Sequence, residues 1–170
     1  MKTLIEEAAL QARVKEVAGD IRRDAGDEPI LLLGVLKGAF MFMADLMRSI
    51  GGDVTCDFIS VSSYVGTTSS GEVQIRKDVD SPLEGRRVII VEDIVDTGLT
   101  LHYLQGILQK RNPKTLQTAC LLSKPSRRKT PVPVDYVGFE IDDKFVVGYG
   151  LDFNERYRNL PYIGIVEGVS

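Results

Sequence analysis

The 170-residue sequence lacks several features that mark specialised proteins. It has only two cysteines, Cys56 and Cys120, and both lie in apolar runs typical of strands. We expect free, buried thiols in a reducing compartment rather than a disulfide. No run approaches the roughly 20 apolar residues of a membrane helix, and the first residues contain no signal-peptide core. These absences favour a cytoplasmic protein that does not enter a membrane.

The charge content also argues against nucleic-acid binding. The chain carries 21 basic and 24 acidic residues, a net charge of −3, which gives no support to a nucleic-acid-binding surface. Its single histidine, His102, falls on a predicted helix, and we assign it no catalytic role. Hydrophobic content of 44% and charged content of 26% are values of folded proteins. With no internal repeat and no dividing linker, we expect one domain over residues 1–170.

Apolar periodicity predicts strands alternating with helices. A helix is expected over residues 3–24 and another over 39–50, with a third after residue 100. Apolar, β-branched runs predict strands at 30–36, 54–61, 88–91, 116–122, 134–139, 145–148 and 162–166. The polar stretch 62–80 is typical of a long mobile loop or a loose hairpin. This alternation predicts an α/β fold with a mostly parallel sheet.

The segment from Val88 to Thr100 carries the strongest functional pattern. A buried strand, Val88–Val91, is followed by two carboxylates, Glu92 and Asp93. A small, hydroxyl-rich turn, Asp96–Thr100, then leads into the helix. Ligands of open α/β sheets bind beyond the carboxyl ends of strands, where helix amino ends offer N–H groups to anions.

The two halves of this segment suit different chemical groups. Gly98 allows close backbone approach, and Thr97 and Thr100 can donate hydrogen bonds to a phosphate. Glu92 and Asp93 would repel a phosphate, but they suit sugar hydroxyls or a hard cation such as Mg²⁺. A ribose 5-phosphate satisfies both halves.

The segment resembles the phosphoribosyl pyrophosphate (PRPP) signature of type I phosphoribosyltransferases. From about residue 30 to residue 165, the chain is similar to the hypoxanthine-guanine phosphoribosyltransferases of purine salvage. The resemblance implies a mostly parallel central sheet flanked by helices, with a small hood and a mobile catalytic loop. It implies transfer of the phosphoribosyl group from PRPP to N9 of hypoxanthine or guanine, with Mg²⁺ as cofactor. It also implies a homodimer or homotetramer, with neither nucleic acid nor a membrane as partner.

The resemblance also implies roles for individual residues. The residues expected at the ribose and 5-phosphate are Glu92, Asp93, Ile94, Val95, Asp96, Thr97, Gly98, Leu99 and Thr100. Those expected at the pyrophosphate are Lys37, Gly38, Ser63, Tyr64 and Arg158. Those expected at the purine are Lys124, Phe145, Val146 and Asp152. The metal ligands implied are Glu92, Asp93 and Asp152, and the catalytic residue is Asp96.

Some of these roles have a clear chemical basis. A fixed ammonium at Lys124 selects a carbonyl over an amino group at C6 of the purine, which distinguishes hypoxanthine and guanine from adenine. Stacking of Phe145 on the base adds about 1 kcal/mol beyond burial. Asp96 is expected to accept the proton on purine N7. In the family, the turn at Lys37 often contains a cis peptide bond.

One role has two candidate residues, and one position departs from the pattern of some family members. Arg156 competes with Arg158 for the pyrophosphate role, and register favours Arg158. Some family members have a lysine where this chain has Leu99, so we expect the contact there to be made by the backbone.

Other functions remain open at this stage. A phosphorylatable receiver domain would also place an acid pair at a strand end, with Asp135 as nominal acceptor, but it gives the Asp96–Thr100 turn no role. An RNA-binding regulator built on the same fold would need a basic face. A phosphoribosyltransferase for xanthine, uracil or adenine is the nearest alternative, and Lys124 with Phe145 opposes the last two.

Overall fold

The computed structural model describes residues 1–63 and 72–169. In chain order its elements are β1 (Lys2–Ile5), α1 (Glu7–Ala25), β2 (Ile30–Leu36), α2 (Phe40–Ile50), β3 (Val54–Ser63), β4 (Val73–Lys77), β5 (Arg87–Val95), α3 (Leu99–Gln109), β6 (Thr115–Ser123), β7 (Tyr136–Glu140), β8 (Val146–Val147) and β9 (Ile163–Ile165). A short 3₁₀ turn, Pro125–Arg127, follows β6.

The central sheet has six strands in the order β4-β3-β2-β5-β6-β7. All neighbouring strands are parallel except β4, which pairs antiparallel with β3. The chain leaves β2 toward β3 and later returns to place β5 on the other side of β2. This reversal of strand order opens a crevice at the carboxyl ends of β2 and β5, where α/β proteins bind ligands.

Helices cover both faces of this sheet, as the alternating pattern predicted. On one face, α1 and α2 pack together and bury residues such as Leu10, Phe42 and Leu46 against the sheet. On the other face, α3 buries Leu101, Leu104 and Leu108, so the core has two layers. Because β2, β5 and β6 are covered on both sides, each contains an unbroken run of four to six buried residues. No helix in the described part of the chain is long and apolar enough to span a membrane.

A second, small sheet joins the two ends of the chain in the order β1-β9-β8. Lys2 pairs with Ile165, and Val146 also pairs with Ile165 from the other side. The prediction of a helix from residue 3 was therefore wrong at its start, since residues 2–5 form a strand and the helix begins at Glu7. Because this pairing joins residues as far apart in the chain as Lys2 and Ile165, local periodicity does not reveal it.

The polar stretch after β3 contains a hairpin strand. Residues 73–77 form β4 opposite β3, so the hairpin alternative was correct where the structure describes the chain. Tyr64 lies outside the described residues. At the base of the hairpin, the carboxylate of Asp57 accepts hydrogen bonds from the N–H groups of Phe58, Asp80 and Ser81. Burial raises the pKa of Asp57, but these donors outweigh it and the net pKa is lowered.

The prediction for the cysteines was half right. Both are free, and Cys120 is buried, but Cys56 is exposed. Successive residues of a strand point to opposite faces. In β3, Asp57 takes the inward position, so its neighbour Cys56 lies on the opposite, exposed side.

Candidate active site

The acid pair lies within the last residues of β5 rather than after them. The strand continues to Val95, with Glu92 opposite Cys120 and Val95 opposite Ser123 of β6. The predicted end of this strand at residue 91 was therefore too early. Parallel pairing with β6 holds the backbone of the two acids in place, although their side chains interrupt the apolar pattern.

Both carboxyl groups of the acid pair are harder to ionise than usual. Burial raises the pKa of Asp93 to about 6, against the opposing effect of the Ile94 N–H, which donates to Asp93 Oδ1 over 2.7 Å. Burial and the nearby Asp93 and Asp96 charges raise the pKa of Glu92 well above its ordinary value. A cation or hydroxyl donor near these groups would favour their ionised forms.

Gly98 gives the turn between β5 and α3 its shape. Its φ is +84°, in the left-handed region, and it stands at the amino end of α3. A Cβ there would lie 2.9 Å from the carbonyl oxygen of Thr130 and 3.0 Å from a methyl of Val132. Both the conformation and the space require glycine.

The amino end of α3 is open to an anion. The N-cap residue of this helix is Gly98, which has no side chain with which to bond the first-turn N–H groups. Asp96 therefore does not act as its cap; its Oδ1 accepts the Thr97 N–H over 2.7 Å. The Leu99 N–H donates to Thr97 Oγ1 over 3.3 Å. Free N–H groups of a first helical turn, with the helix dipole behind them, attract phosphate.

The segment after β6 braces this turn from outside. Arg128 donates through Nη1 to the carbonyl oxygens of Val95 and Asp96, at 3.2 and 2.7 Å. Lys129 donates its N–H to the Thr97 carbonyl over 2.8 Å. No local pattern predicts this role for Arg128, which stands in a basic run typical of a solvated loop.

The turn after β2 packs directly against the acid pair. The Leu36–Lys37 peptide bond is cis. A Cβ at Gly38 would overlap the carboxylate of Asp93, at 1.8 Å from Oδ2. Gly150 closes on the same turn, because a Cβ there would lie 2.3 Å from the Gly38 carbonyl oxygen. Two glycines thus let three separate segments meet at one point.

An ionic cluster stands beside this point. Arg158 donates through Nη1 to the Gly150 carbonyl over 2.6 Å and lies 3.5 Å from the carboxylate of Asp152. Glu155 accepts from Arg158 Nη2 at 3.2 Å and from Lys37 Nζ at 2.9 Å. These contacts lower the pKa of Glu155, the Lys37 bond most. Lys37 and Arg158, both expected to bind pyrophosphate, are therefore brought together.

The backbone of this cluster is unusual. Phe153 and Arg156 exchange reciprocal N–H···O bonds of 3.0 Å, and the two residues between them, Asn154 and Glu155, have φ of +53° and +66°. This pattern is that of a type I′ turn, whose second central position strongly favours glycine. Here that position holds glutamate.

A wide cavity of about 760 Å³ opens on the other side of Asp96. It brings together three residues expected at the reacting groups, Asp96, Lys124 and Phe145. Its remaining lining comes from Lys2, Arg127, Asp143, Lys144, Ile165, Val166, Glu167, Gly168 and Val169. A volume of this size accommodates a small organic ligand.

The side chains that line the wide cavity come from segments far apart in the sequence. Lys124 is largely buried and its Nζ lies 3.4 Å from Asp143 Oδ1, while Arg127 lies 3.5 Å from the other oxygen. The ring of Phe145 meets Phe153 edge-on, with centroids 5.5 Å apart. Val146 is buried in β8 behind Phe145 and does not line the cavity.

Several residues around the wide cavity were not predicted. The segment Ile165–Val169 and Lys2 enter it only because β1 pairs with β9. Asp143 lay in a charged run next to Phe145, and that proximity was the only available signal. Of the expected pyrophosphate residues in the hairpin, Ser63 ends β3, and Tyr64 lies outside the described residues.

The expected metal ligands are only partly gathered. Within residues 1–63 and 72–169, no three His, Cys, Asp or Glu side chains form a metal-binding group. Asp152 is nevertheless close enough to Asp93 to raise its pKa. Mg²⁺ is commonly held by one or two carboxylates together with substrate phosphates and water, so a pair of this kind fits the ion.

Comparison with known proteins decides the family. A phosphoribosyl transferase domain matches residues 2–154. The hypoxanthine-guanine phosphoribosyltransferase of Bacillus subtilis is 51% identical over 167 residues, 98% of this chain and 93% of that protein. The chain belongs to the hypoxanthine-guanine phosphoribosyltransferase family. The resemblance seen in the sequence is thus confirmed, and the protein is a pentosyltransferase of purine salvage.

Other relatives agree with this assignment. The hypoxanthine phosphoribosyltransferase of Escherichia coli is 46% identical over 170 residues, covering 98% of this chain and 95% of that protein. A crystal structure of a hypoxanthine-guanine phosphoribosyltransferase from Bacillus anthracis superposes with a TM-score of 0.96 at 51% identity, over 98% of both chains. The expected phosphoribosyltransferase fold is confirmed, and a receiver domain is excluded.

Proposed function

We propose that this phosphoribosyltransferase transfers the 5-phosphoribosyl group from PRPP to N9 of hypoxanthine or guanine. The products are IMP or GMP and pyrophosphate. One observation carries the proposal. The amino end of α3 and the acid pair Glu92 and Asp93 lie at one edge of the central sheet, beside the wide cavity. The wide cavity is lined by a lysine, Lys124, and an aromatic ring, Phe145. A sugar phosphate and a 6-oxopurine fit these two parts.

The β5–α3 turn would hold the ribose 5-phosphate. The backbone and hydroxyls of residues 97–100 would donate to the phosphate, and Leu99 would contribute only its N–H. Glu92 and Asp93 would accept from the ribose hydroxyls, because a carboxylate matches hydroxyl donors. Ile94 and Val95 would shape the strand beneath the sugar.

The turn at Lys37 would receive the pyrophosphate together with Arg158. Lys37 and Arg158 already share one carboxylate partner, so their charges lie within reach of a single anion. Gly38 lets this turn sit against Asp93. We also assign Ser63 and Tyr64, from the end of β3 onward, to the pyrophosphate side. Closure of the predicted 62–80 loop over PRPP would exclude water from a ribosyl cation-like transition state.

The wide cavity would bind the purine. Lys124 would donate to the oxygen at C6, and Phe145 would stack on the ring. Asp152 and Val146 do not line the wide cavity. We retain them as the residues that would meet the remaining edge of the base, Val146 through its backbone. Arg158 rather than Arg156 fits the pyrophosphate role, because Arg158 contacts Asp152 and Glu155 while Arg156 pairs through its backbone with Phe153.

Asp96 is the proposed catalytic residue. Its side chain is exposed at the boundary between the β5–α3 turn and the wide cavity, where sugar and base would meet. As a carboxylate it would accept the proton on purine N7 as N9 attacks the anomeric carbon. Help of this kind contributes about 10²–10⁴ in rate.

Mg²⁺ is the proposed cofactor, held by Asp93 and Asp152 with Glu92 acting on the ribose hydroxyls close by. The donor chemistry suits the ion, since both groups are oxygen ligands, and a cation would offset the burial and the nearby Asp152 charge that raise the pKa of Asp93. When bound, Mg²⁺ would neutralise the departing pyrophosphate.

The assembly and location belong to the same proposal. We propose a homodimer or homotetramer, which light scattering would test. A study of hypoxanthine phosphoribosyl transferase from Trypanosoma cruzi links the C-terminal region of that enzyme to its oligomeric state and activity. A cytoplasmic location agrees with two free cysteines.

The direct test supplies PRPP, Mg²⁺ and one nucleobase at a time and measures pyrophosphate release. We expect release with hypoxanthine and guanine and little with adenine or uracil; xanthine reports how strictly the base edge is read. Turnover with adenine alone would contradict the roles of Lys124 and Phe145. Absence of turnover together with tight filter binding of RNA would favour an RNA-binding regulator instead.

A further inference from the structure

We propose that Glu155 is an internal competitor that occupies the pyrophosphate site before the ligand arrives. Its carboxylate would pair with Lys37 and Arg158 in place of the ligand and would give way when pyrophosphate binds. This inference rests on the proposed function, in which Lys37 and Arg158 bind pyrophosphate.

The contacts of Glu155 are those of a bridging anion. Oε2 accepts from Lys37 Nζ over 2.9 Å, and Oε1 accepts from Arg158 Nη2 over 3.2 Å. The two cations come from parts of the chain about 120 residues apart, so no local turn explains their convergence. Pyrophosphate presents the same kind of oxygens with a larger charge.

The backbone supports a role for this side chain. Glu155 has φ of +66° at the second central position of the turn between Phe153 and Arg156, where glycine is favoured. The turn itself therefore gains nothing from a glutamate. Residues held in sparsely populated conformations cluster at ligand sites, where the side chain has a use that offsets the strain.

The exposure of the three side chains indicates which of them moves. Glu155 and Lys37 are 63% and 67% exposed, and exposed ion pairs are weak. Arg158 is only 19% exposed and is anchored to the Gly150 carbonyl. A multiply charged anion would therefore displace the Glu155 carboxylate while Arg158 keeps its place. Competition from Glu155 would lower the affinity for pyrophosphate and help the product to leave.

The test titrates pyrophosphate with Mg²⁺ into the whole protein by calorimetry. We compare the wild type with Glu155→Gln and Glu155→Gly. The control is Glu84→Gln, an exposed glutamate just before β5, at the opposite edge of the sheet. We expect both Glu155 variants to bind pyrophosphate about three- to tenfold more tightly, with KM for PRPP lowered and KM for hypoxanthine unchanged. Glu84→Gln should match the wild type, which separates the effect of Glu155 from that of net charge.

Thermal unfolding adds a readout of the backbone. Both Glu155 variants lack the carboxylate, so any difference between their Tm values reflects how well each residue suits the left-handed turn conformation. Glycine should give a Tm about 2 °C above that of glutamine. Equal or weaker pyrophosphate binding in both variants, or a glycine variant less stable than the glutamine one, would overturn the inference. A wild type that binds no pyrophosphate at all would overturn the proposed function, and this inference with it.

Discussion

The β5–α3 turn and the wide cavity adjoin at Asp96, but they are built differently. The turn is held through its backbone: the Arg128 side chain and the Lys129 N–H donate to its carbonyl oxygens, and a Cβ at Gly98 would meet the Thr130 carbonyl. The wide cavity is lined by side chains from distant segments. There the ammonium of Lys124 is paired with a half-exposed carboxylate, Asp143.

This difference assigns two tasks to two regions: the turn would set the geometry of phosphate binding, and the cavity would set the selectivity for the base. A backbone turn presents one fixed arrangement of N–H donors, which suits a group such as phosphate that is common to all substrates of one enzyme class. Side chains can differ without rebuilding the fold, so in the proposed function the choice among bases would reside in the cavity. A change in the turn should therefore disturb geometry, while a change in the cavity should remove one contact.

Removal of divalent cations should have the largest effect on turnover. The cation would bind near the point where the β5–α3 turn and the wide cavity meet, so its loss affects both regions. The acid pair cannot neutralise a pyrophosphate. With excess chelator we expect turnover to fall by about 10³-fold or more and to return when Mg²⁺ is added. Pyrophosphate release is the measurement, and full turnover in chelator would contradict the role given to Asp93.

The next effect concerns the boundary residue. Asp96→Asn keeps an oxygen that accepts the Thr97 N–H, so folding and PRPP binding should change little. An amide cannot accept the purine proton, and kcat should fall by about 10²-fold or more.

Thermal unfolding of Asp96→Asn serves as its control, with a Tm close to that of the wild type. A well-folded variant with near-normal kcat would reduce Asp96 to a local partner of the turn and would remove the link between the two regions.

The smallest effect is on stability and concerns Asp93→Asn. Burial raises the pKa of Asp93 from 3.8 to about 6, so the folded protein favours the protonated form. Ionisation therefore costs stability, and this cost grows as pH rises from about 4 to 6 and is complete above 6. Asparagine cannot ionise and keeps an acceptor for the Ile94 N–H.

The Asp93→Asn protein without ligands should accordingly have nearly the wild-type Tm at pH 4 and a Tm about 5 °C higher at pH 8. Unfolding curves at both pH values, taken in chelator, measure this difference. A gain that is larger at pH 4 than at pH 8 would mean that the carboxylate is stabilised in the folded state, contrary to the account.

The same comparison explains what could be predicted from the sequence. Local patterns predicted a strand, a glycine turn and a helix in this order, because β5, Gly98 and α3 are consecutive in the chain, although β5 ends later and α3 begins earlier than predicted. They did not predict β1. Its pairing with β9 brings Lys2 and the segment Ile165–Val169 to the wide cavity. Nor did they predict Arg128, since its hydrogen bonds to the turn depend on how the chain returns after β6.

Residue types were predicted better than their surroundings. Lys124 and Phe145 were expected at the base, and both line the wide cavity. The sequence patterns assigned no role to the carboxylates that pair with the cations, Asp143 beside Lys124 and Glu155 beside Lys37. Ion pairs between segments far apart in sequence have no local pattern, so only the folded arrangement shows them.

The division between shape and selectivity is tested most directly by measuring KM for PRPP and for hypoxanthine in Gly98→Ala and Lys124→Ala. Alanine at residue 98 would meet the Thr130 carbonyl at 2.9 Å, so the turn must shift. We predict that Gly98→Ala raises KM for PRPP about tenfold or more and barely affects hypoxanthine. Lys124→Ala should raise KM for hypoxanthine about 10- to 100-fold, the loss of a charged hydrogen bond, with PRPP nearly unaffected. If both variants damaged both substrates equally, or if Lys124→Ala acted on PRPP alone, the division would be wrong.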